Sequence, residues 1–153
     1  MTCSSELKSI QTKIKTLGAF DSSTPHLTMY ALIRSCGTIE ASIKTIVADY
    51  FSRNQSARLK RFIDKKIRNS PTNPRYDHIL KLLGEFDTTW KDSIKLRINT
   101  HKKRDKILSS LDSLCNARND LAHGGRPNVT IKDIVKYYSN CTLIVKGVDA
   151  LIV

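Results

Sequence analysis

The stretch Ile107-Leu108-Ser109-Ser110-Leu111-Asp112-Ser113-Leu114-Cys115-Asn116-Ala117-Arg118-Asn119-Asp120-Leu121-Ala122-His123-Gly124-Gly125 decides what kind of fold this chain adopts. Its apolar residues at 107, 108, 111, 114 and 115 recur every three to four positions, which puts them on one face of an α-helix. Gly124-Gly125, then Pro127, stop that helix and turn the chain. A fixed cation, Arg118, and an acid–base group, His123, stand at the stopped end with the polar Asn119 between them. If the protein has chemistry, this segment is its best carrier.

The same period extends outward in both directions. Toward the C-terminus, Thr130-x-x-Asp133 reads as a capping box with Asp in the place of Glu or Gln. The helix it opens carries Ile134, Val135, Tyr138, Cys141, Val145 and Val148 on its buried face. Toward the N-terminus, Asn99 to Lys106 is a polar basic connection. Before it, Asp87-Thr88-Thr89 caps a helix holding Trp90 and Ile94, and Ile79, Leu80, Leu83 and Phe86 mark a shorter one. Leu59, Phe62, Ile63 and Ile67 mark a helix that stops before Asn69-Ser70-Pro71. A long helix runs from Thr24-Pro25, read as N-cap and first helical position, through Leu27, Tyr30, Ala31, Ile33, Ile39, Ile43, Ile46 and Val47 to Tyr50. Leu7, Ile10, Ile14 and Leu17 form a first helix that Gly18 ends. No strand alternation, repeat or low-complexity segment interrupts the pattern. The expectation is an all-α bundle of about six or seven helices, in one domain over residues 1–153. Residues 1–24 would be an N-terminal helix and linker, and residues 25–153 the core bundle. The clearest loops are Ser70 to Pro74 and Gly124 to Val129.

Composition narrows the partners. The 153 residues hold 26 Lys and Arg against 14 Asp and Glu, a formal charge of +12. Such an excess points to a polyanion, nucleic acid first and an anionic membrane surface second; the plain alternative is a solvated basic face. No apolar run is long enough to span a bilayer. Met1-Thr2-Cys3-Ser4-Ser5-Glu6 lacks the basic and then apolar pattern of a signal peptide. Cys3, Cys36, Cys115 and Cys141 form no CxxC pair and no zinc spacing. Cys36, Cys115 and Cys141 read as small buried hydrophobes in a reducing cytoplasm. A nucleophilic Cys115 is the sharper alternative, without a second histidine nearby in sequence to activate it. No carboxylate cluster suggests a metal, and no cofactor is expected.

The chemistry at Arg118 and His123 depends on geometry. Five helical residues rotate by about 500°, so a straight helix would aim the two side chains about 140° apart. Convergence needs the helix to end between them, which Gly124-Gly125 makes plausible, or a two-fold axis that joins motifs from two chains. Imidazole moves a proton near neutral pH, and guanidinium grips phosphate oxygens in a bidentate way. Together they suit cleavage of a phosphodiester by the neighbouring ribose 2′-hydroxyl, which requires RNA. The plain alternative is a helix end: a C-terminal His favoured by the macrodipole and a glycine C-cap.

Leu111-x-x-Leu114-x-x-x-Arg118-Asn119-x-x-x-His123-Gly124 resembles the signature of the HEPN superfamily: Arg, a polar residue, a short spacer and His at a helix end followed by a loop. The Arg34-to-Phe51 helix with Glu40 inside it resembles the early long helix of HEPN domains. Phe86-Asp87-x-x-Trp90 and the Asp133-to-Val148 helix are similar to the stand-alone nuclease branches, the MAE-type and RiboL-PSP-type domains. The resemblance runs from about Pro25 onward, and only its Arg–His motif is specific. It implies a metal-independent ribonuclease that leaves a 2′,3′-cyclic phosphate, with a composite site across a homodimer. By position, Arg118 and His123 would be catalytic and Asn119 supporting. Glu40 would be a further supporting residue, although a salt-bridge role suits it better. A toxin-like or defence role and a cognate antitoxin protein follow from the same analogy. Some HEPN toxins carry a tyrosine two residues after the histidine, where a partner nucleotidyltransferase modifies them. Here that position is Gly125, which puts that control in doubt. Some HEPN domains are non-catalytic modules that bind RNA or protein, and that remains the alternative.

Two basic runs would supply phosphate contacts. Arg53, Arg58, Lys60, Arg61, Lys65, Lys66 and Arg68 crowd the third helix, opposed by Asp64 alone. Lys102, Lys103, Arg104 and Lys106 precede the motif helix, and this run is preferred for RNA because it is close to the motif in sequence. Arg126 joins it as an RNA-binding candidate. Tyr76, His78 and Trp90 could stack on bases, with Trp90 better suited to the core. A basic DNA-binding bundle ranks last, since no helix-turn-helix recognition signal is present.

Overall fold

The computed structural model describes residues 2–152; Met1 and Val153, the ends of the expected domain, lie outside them. Seven α-helices follow one another without a strand among the described residues: α1 (Cys3–Leu17), α2 (Ser23–Ser52), α3 (Ala57–Ile63), α4 (Tyr76–Phe86), α5 (Thr88–Asn99), α6 (Arg104–Ala122) and α7 (Ile131–Asp149). The third expected helix is not one α-helix. It changes to a π-helical turn at Asp64–Arg68, which keeps Ile63 and Ile67 both buried.

Most starts and stops follow local chemistry. Gly18 ends α1 at φ +93°, and its N–H bonds to the Ile14 carbonyl at 2.9 Å. Asp87 caps α5 by accepting from the Thr89 N–H at 2.7 Å. Both halves of the capping box at α7 are formed: the Thr130 hydroxyl accepts from Asp133 N–H, and Asp133 accepts from Thr130 N–H. The start of α2 departs from expectation. The helix begins at Ser23, so Pro25 sits at its third position, where an α-helix still has no partner for the missing N–H. Thr24 is no cap; its hydroxyl donates to the Gly18 carbonyl at 2.9 Å and ties α2 to the end of α1.

The core lies around α2, which packs against α1, α3, α6 and α7. Ile39, Ile43 and Val47 of α2 meet Ile107, Leu111 and Leu114 of α6 and Ile134 and Ile144 of α7, all buried. Burial of each such aliphatic side chain contributes about 2 kcal/mol. α1 runs antiparallel to α2, held by Arg34 and Tyr30 on Glu6 at 2.9 and 2.5 Å. α6 and α7 lie antiparallel, with Asn140 donating to Ser110 at 2.9 Å. Several residues of the expected apolar stripes face water instead: Tyr30, Ile33, Leu59 and Phe62 are exposed, and Val135, Tyr138 and Val145 are only partly covered. Val135, Tyr138 and Val145 pack against the rim of the core, and Tyr30 meets α1 only through its hydroxyl on Glu6. Among the described residues no helix is long and apolar enough to cross a membrane.

Candidate active site at the end of α6

The end of α6 is a complete Schellman motif. Gly124 takes φ +82°. Its N–H bonds to the Leu121 carbonyl at 3.1 Å, and the Gly125 N–H bonds to the Asp120 carbonyl at 2.9 Å. A Cβ on Gly125 would lie 2.1 Å from the Asp120 carboxylate, so that position admits no side chain as the loop stands.

His123 is the C-cap at φ −92° and ψ 14°, and its N–H still bonds to the Asn119 carbonyl at 3.0 Å. The helix therefore ends at His123, not between Arg118 and His123. Helical rotation over those five residues sets the two side chains about 140° apart. Arg118 turns inward, its guanidinium 3.8 Å from the Glu40 carboxylate on α2, while the His123 ring is exposed.

Around Arg118 the structure gathers a polar network. Asn119 Oδ1 accepts from Arg118 at 3.2 Å and from Asn73 Nδ2 at 3.2 Å. Glu40 accepts from the Thr72 backbone N–H at 3.1 Å and from Lys44, which also donates to the Ser70 carbonyl. Lys44 is the one buried charged side chain among the described residues. Its burial is tolerable because a carboxylate and a carbonyl meet it. Arg75 reaches Asn116 of α6, and His78 Nδ1 lies 3.1 Å from the Asn73 carbonyl. Glu40 thus lies beside the motif and is a salt-bridge partner as well. Of these residues Lys44 was legible as an i, i+4 partner of Glu40. Thr72, Asn73 and Arg75 were not, since a loop reaches α6 only through the tertiary fold.

The basic run before α6 is far from this network. Fourteen residues separate Arg104 from Arg118 along α6, about 21 Å at 1.5 Å per residue. Lys102 and Lys103 line a shallow groove with Arg97 and Leu143 at the other end of the helix. Closeness in sequence is thus not closeness in space. Arg126 is exposed in the loop after the motif. Of the stacking candidates, Trp90 packs edge-on to Tyr50 at 5.1 Å, and Tyr76 is half-buried with its hydroxyl covered. Only His78 remains on the surface.

The cysteines are all buried and free. Burial raises the Cys141 thiol to about 12, and the Cys115 sulfur and burial raise Cys36 as well. Cys115 is fully covered, so a substrate has no path to it. Among the described residues no three His, Cys, Asp or Glu side chains gather as a metal site would need.

The cleft beside Glu40 and His78 holds about 10 Å³, room for one water, and encloses no nucleotide. A groove of about 900 Å³ lies elsewhere, between α1, the start of α2 and the start of α7. No curated protein and no solved structure matches the chain. The family model described as RiboL-PSP-HEPN matches residues 3–153, which takes in α1 as well as the motif, and the chain belongs to that family.

Proposed function

We propose that this protein is an endoribonuclease that cleaves RNA by attack of a ribose 2′-hydroxyl on the adjacent phosphorus. The observation that carries this reading is the end of α6, where Arg118, Asn119 and Glu40 form a cluster and His123 is left exposed at the C-cap. His123 takes the proton of the 2′-hydroxyl or gives one to the leaving 5′ oxygen. Arg118 stabilises the charge that develops on the phosphoryl oxygens, with Glu40 and Asn119 holding its guanidinium in place. The bond from phosphorus to the 5′ oxygen breaks as that to the 2′ oxygen forms, leaving a 2′,3′-cyclic phosphate. Because Arg118 and His123 diverge on one chain, the reacting pair comes from two chains across a two-fold axis. A toxin-like or defence role with a cognate antitoxin partner rests on family analogy alone.

The test is cleavage of a mixed-sequence RNA by purified protein in EDTA. Wild type is expected to produce cyclic-phosphate ends, and His123→Ala to lose at least about 100-fold in rate. Identical RNA patterns from the two proteins would sink the reading.

One observation favours a second reading, a non-catalytic module. Arg118 is tied through Glu40 and Asn119 to α2 and the 70–75 loop, as a strut would be. On that reading Arg118→Ala lowers the melting temperature while wild type shows no nuclease activity.

A further inference from the structure

We infer that single-stranded RNA is held by the outer face of α3 and the π-turn that follows it, and not by the Lys102–Lys106 run. Arg58, Lys60, Arg61, Lys65 and Lys66 are all exposed. None of the five forms an ion pair among the described residues; the nearby Asp64 and Asp49 are both taken by Arg68, at 2.9 and 2.7 Å. At about 100° per residue, Arg58, Arg61, Phe62 and Lys65 fall within an arc of roughly 100°. Phe62, 59% exposed, stands at one edge of that arc, with Lys66 about 40° beyond it. Ile63 and Ile67 occupy the opposite side and anchor the helix to α2.

An uncompensated cationic face with an exposed aromatic ring between Arg58 and Lys66 has the chemistry of a single-strand platform. The cations track phosphates and the ring stacks on a base of any identity. Location strengthens the assignment. Ser70, two residues beyond the π-turn, accepts from Lys44, Lys44 donates to Glu40, and Glu40 lies 3.8 Å from Arg118. The basic face therefore ends one short contact chain away from the guanidinium assigned to the scissile phosphate. The Lys102–Lys106 run has no such chain to Arg118.

The inference relies on the ribonuclease reading only for the identity of the polyanion, and binding is measured apart from cleavage. The probe is a 12-nucleotide single-stranded oligonucleotide with 2′-O-methyl groups, which cannot be cut. Affinity is measured by fluorescence anisotropy against salt. The variants are R58A/R61A/K65A, F62A and the charge-matched K102A/K103A/K106A. All replace exposed side chains, and circular dichroism and melting curves check the folds.

R58A/R61A/K65A is expected to flatten the slope of log affinity against log salt by about 2, since each single-strand phosphate contact contributes about 0.7. F62A is expected to weaken binding about tenfold and K102A/K103A/K106A less than threefold. Equal losses from the two triple variants would overturn the inference, as would an F62A variant that binds like wild type. Wild type that binds vesicles containing phosphatidylserine but not the oligonucleotide would overturn it too. If the α3 variants lose binding while wild-type protein leaves cleavable RNA intact, the platform stands and the nuclease reading falls. If wild type cleaves and the α3 variants bind normally, the reverse holds.

Discussion

Gly124 carries the geometry on which the candidate site depends. At φ +82° a residue with a Cβ is strained, and nothing within 4 Å of that position would add a clash. Gly124→Ala is thus expected to cost about 1 kcal/mol through the backbone alone, read as a lower melting temperature. Gly125 differs, because its lack of a side chain serves close contact with Asp120. The glycine pair was legible as a helix stop since left-handed backbone is a local demand. The direction of each motif side chain was not. Arg118 turns inward because Glu40 waits on α2, and no spacing rule within α6 reveals a partner 78 residues away. The acid at Glu40 and the loop residue Asn73 become neighbours of the motif only when α2 and the 70–75 loop reach α6.

At the scale of elements, α7 shows how far local rules extend. Its Thr130–Asp133 capping box was read from spacing and is formed with both hydrogen bonds. Thr130→Ala is expected to cost about 1 kcal/mol, a fall in melting temperature of roughly 2–4 °C for a chain of this size. The Thr130 hydroxyl and N–H also hold the Asp133 carboxyl below the usual range. A carboxyl with a lower pKa folded than unfolded stabilises the fold above its unfolded value, about 3.9. That contribution disappears as pH falls through the folded value. Melting temperature should therefore drop below about pH 4. Asp133→Asn should be less stable than wild type near neutrality and show a shallower acid limb. An Asp133→Asn curve parallel to wild type would show that this cap contributes nothing to acid sensitivity. The apolar stripes were less faithful than the caps. Tyr30, Ile33, Leu59 and Phe62 keep helical period yet face water, because burial depends on whether another helix arrives. The π-turn at Asp64–Arg68 left no sequence signal; at its end Arg68 meets Asp49, Asp64 and Thr45, two of them on α2.

For the molecule as a whole, the divergence of Arg118 and His123 has one consequence. On the nuclease reading a single chain presents half a site, and the cleft beside Glu40 and His78 holds only about 10 Å³. The nuclease reading then requires association, although a charge of +12 on each chain opposes it. Sedimentation at about 0.15 M salt, where charges beyond about 8 Å are screened, is expected to give twice the chain mass of 17.3 kDa. A mixture of His123→Ala with wild type should lose activity as hybrid dimers form. A fully active monomer would end the two-chain mechanism while leaving the chemistry of His123 open.

By itself the sequence determined the all-α class, most helix boundaries, the caps at Asp87 and Thr130 and the Arg118–His123 motif. Period, glycine conformation and side-chain caps act within a few residues, so they are written where they act. Only the tertiary structure decided which apolar faces find a partner. It also decided that Arg118 meets Glu40 and that the Lys102–Lys106 run lies some 21 Å along α6 from Arg118. A helix spreads neighbours in sequence apart at 1.5 Å per residue, and packing brings distant residues together, so closeness along the chain could not stand in for closeness in space.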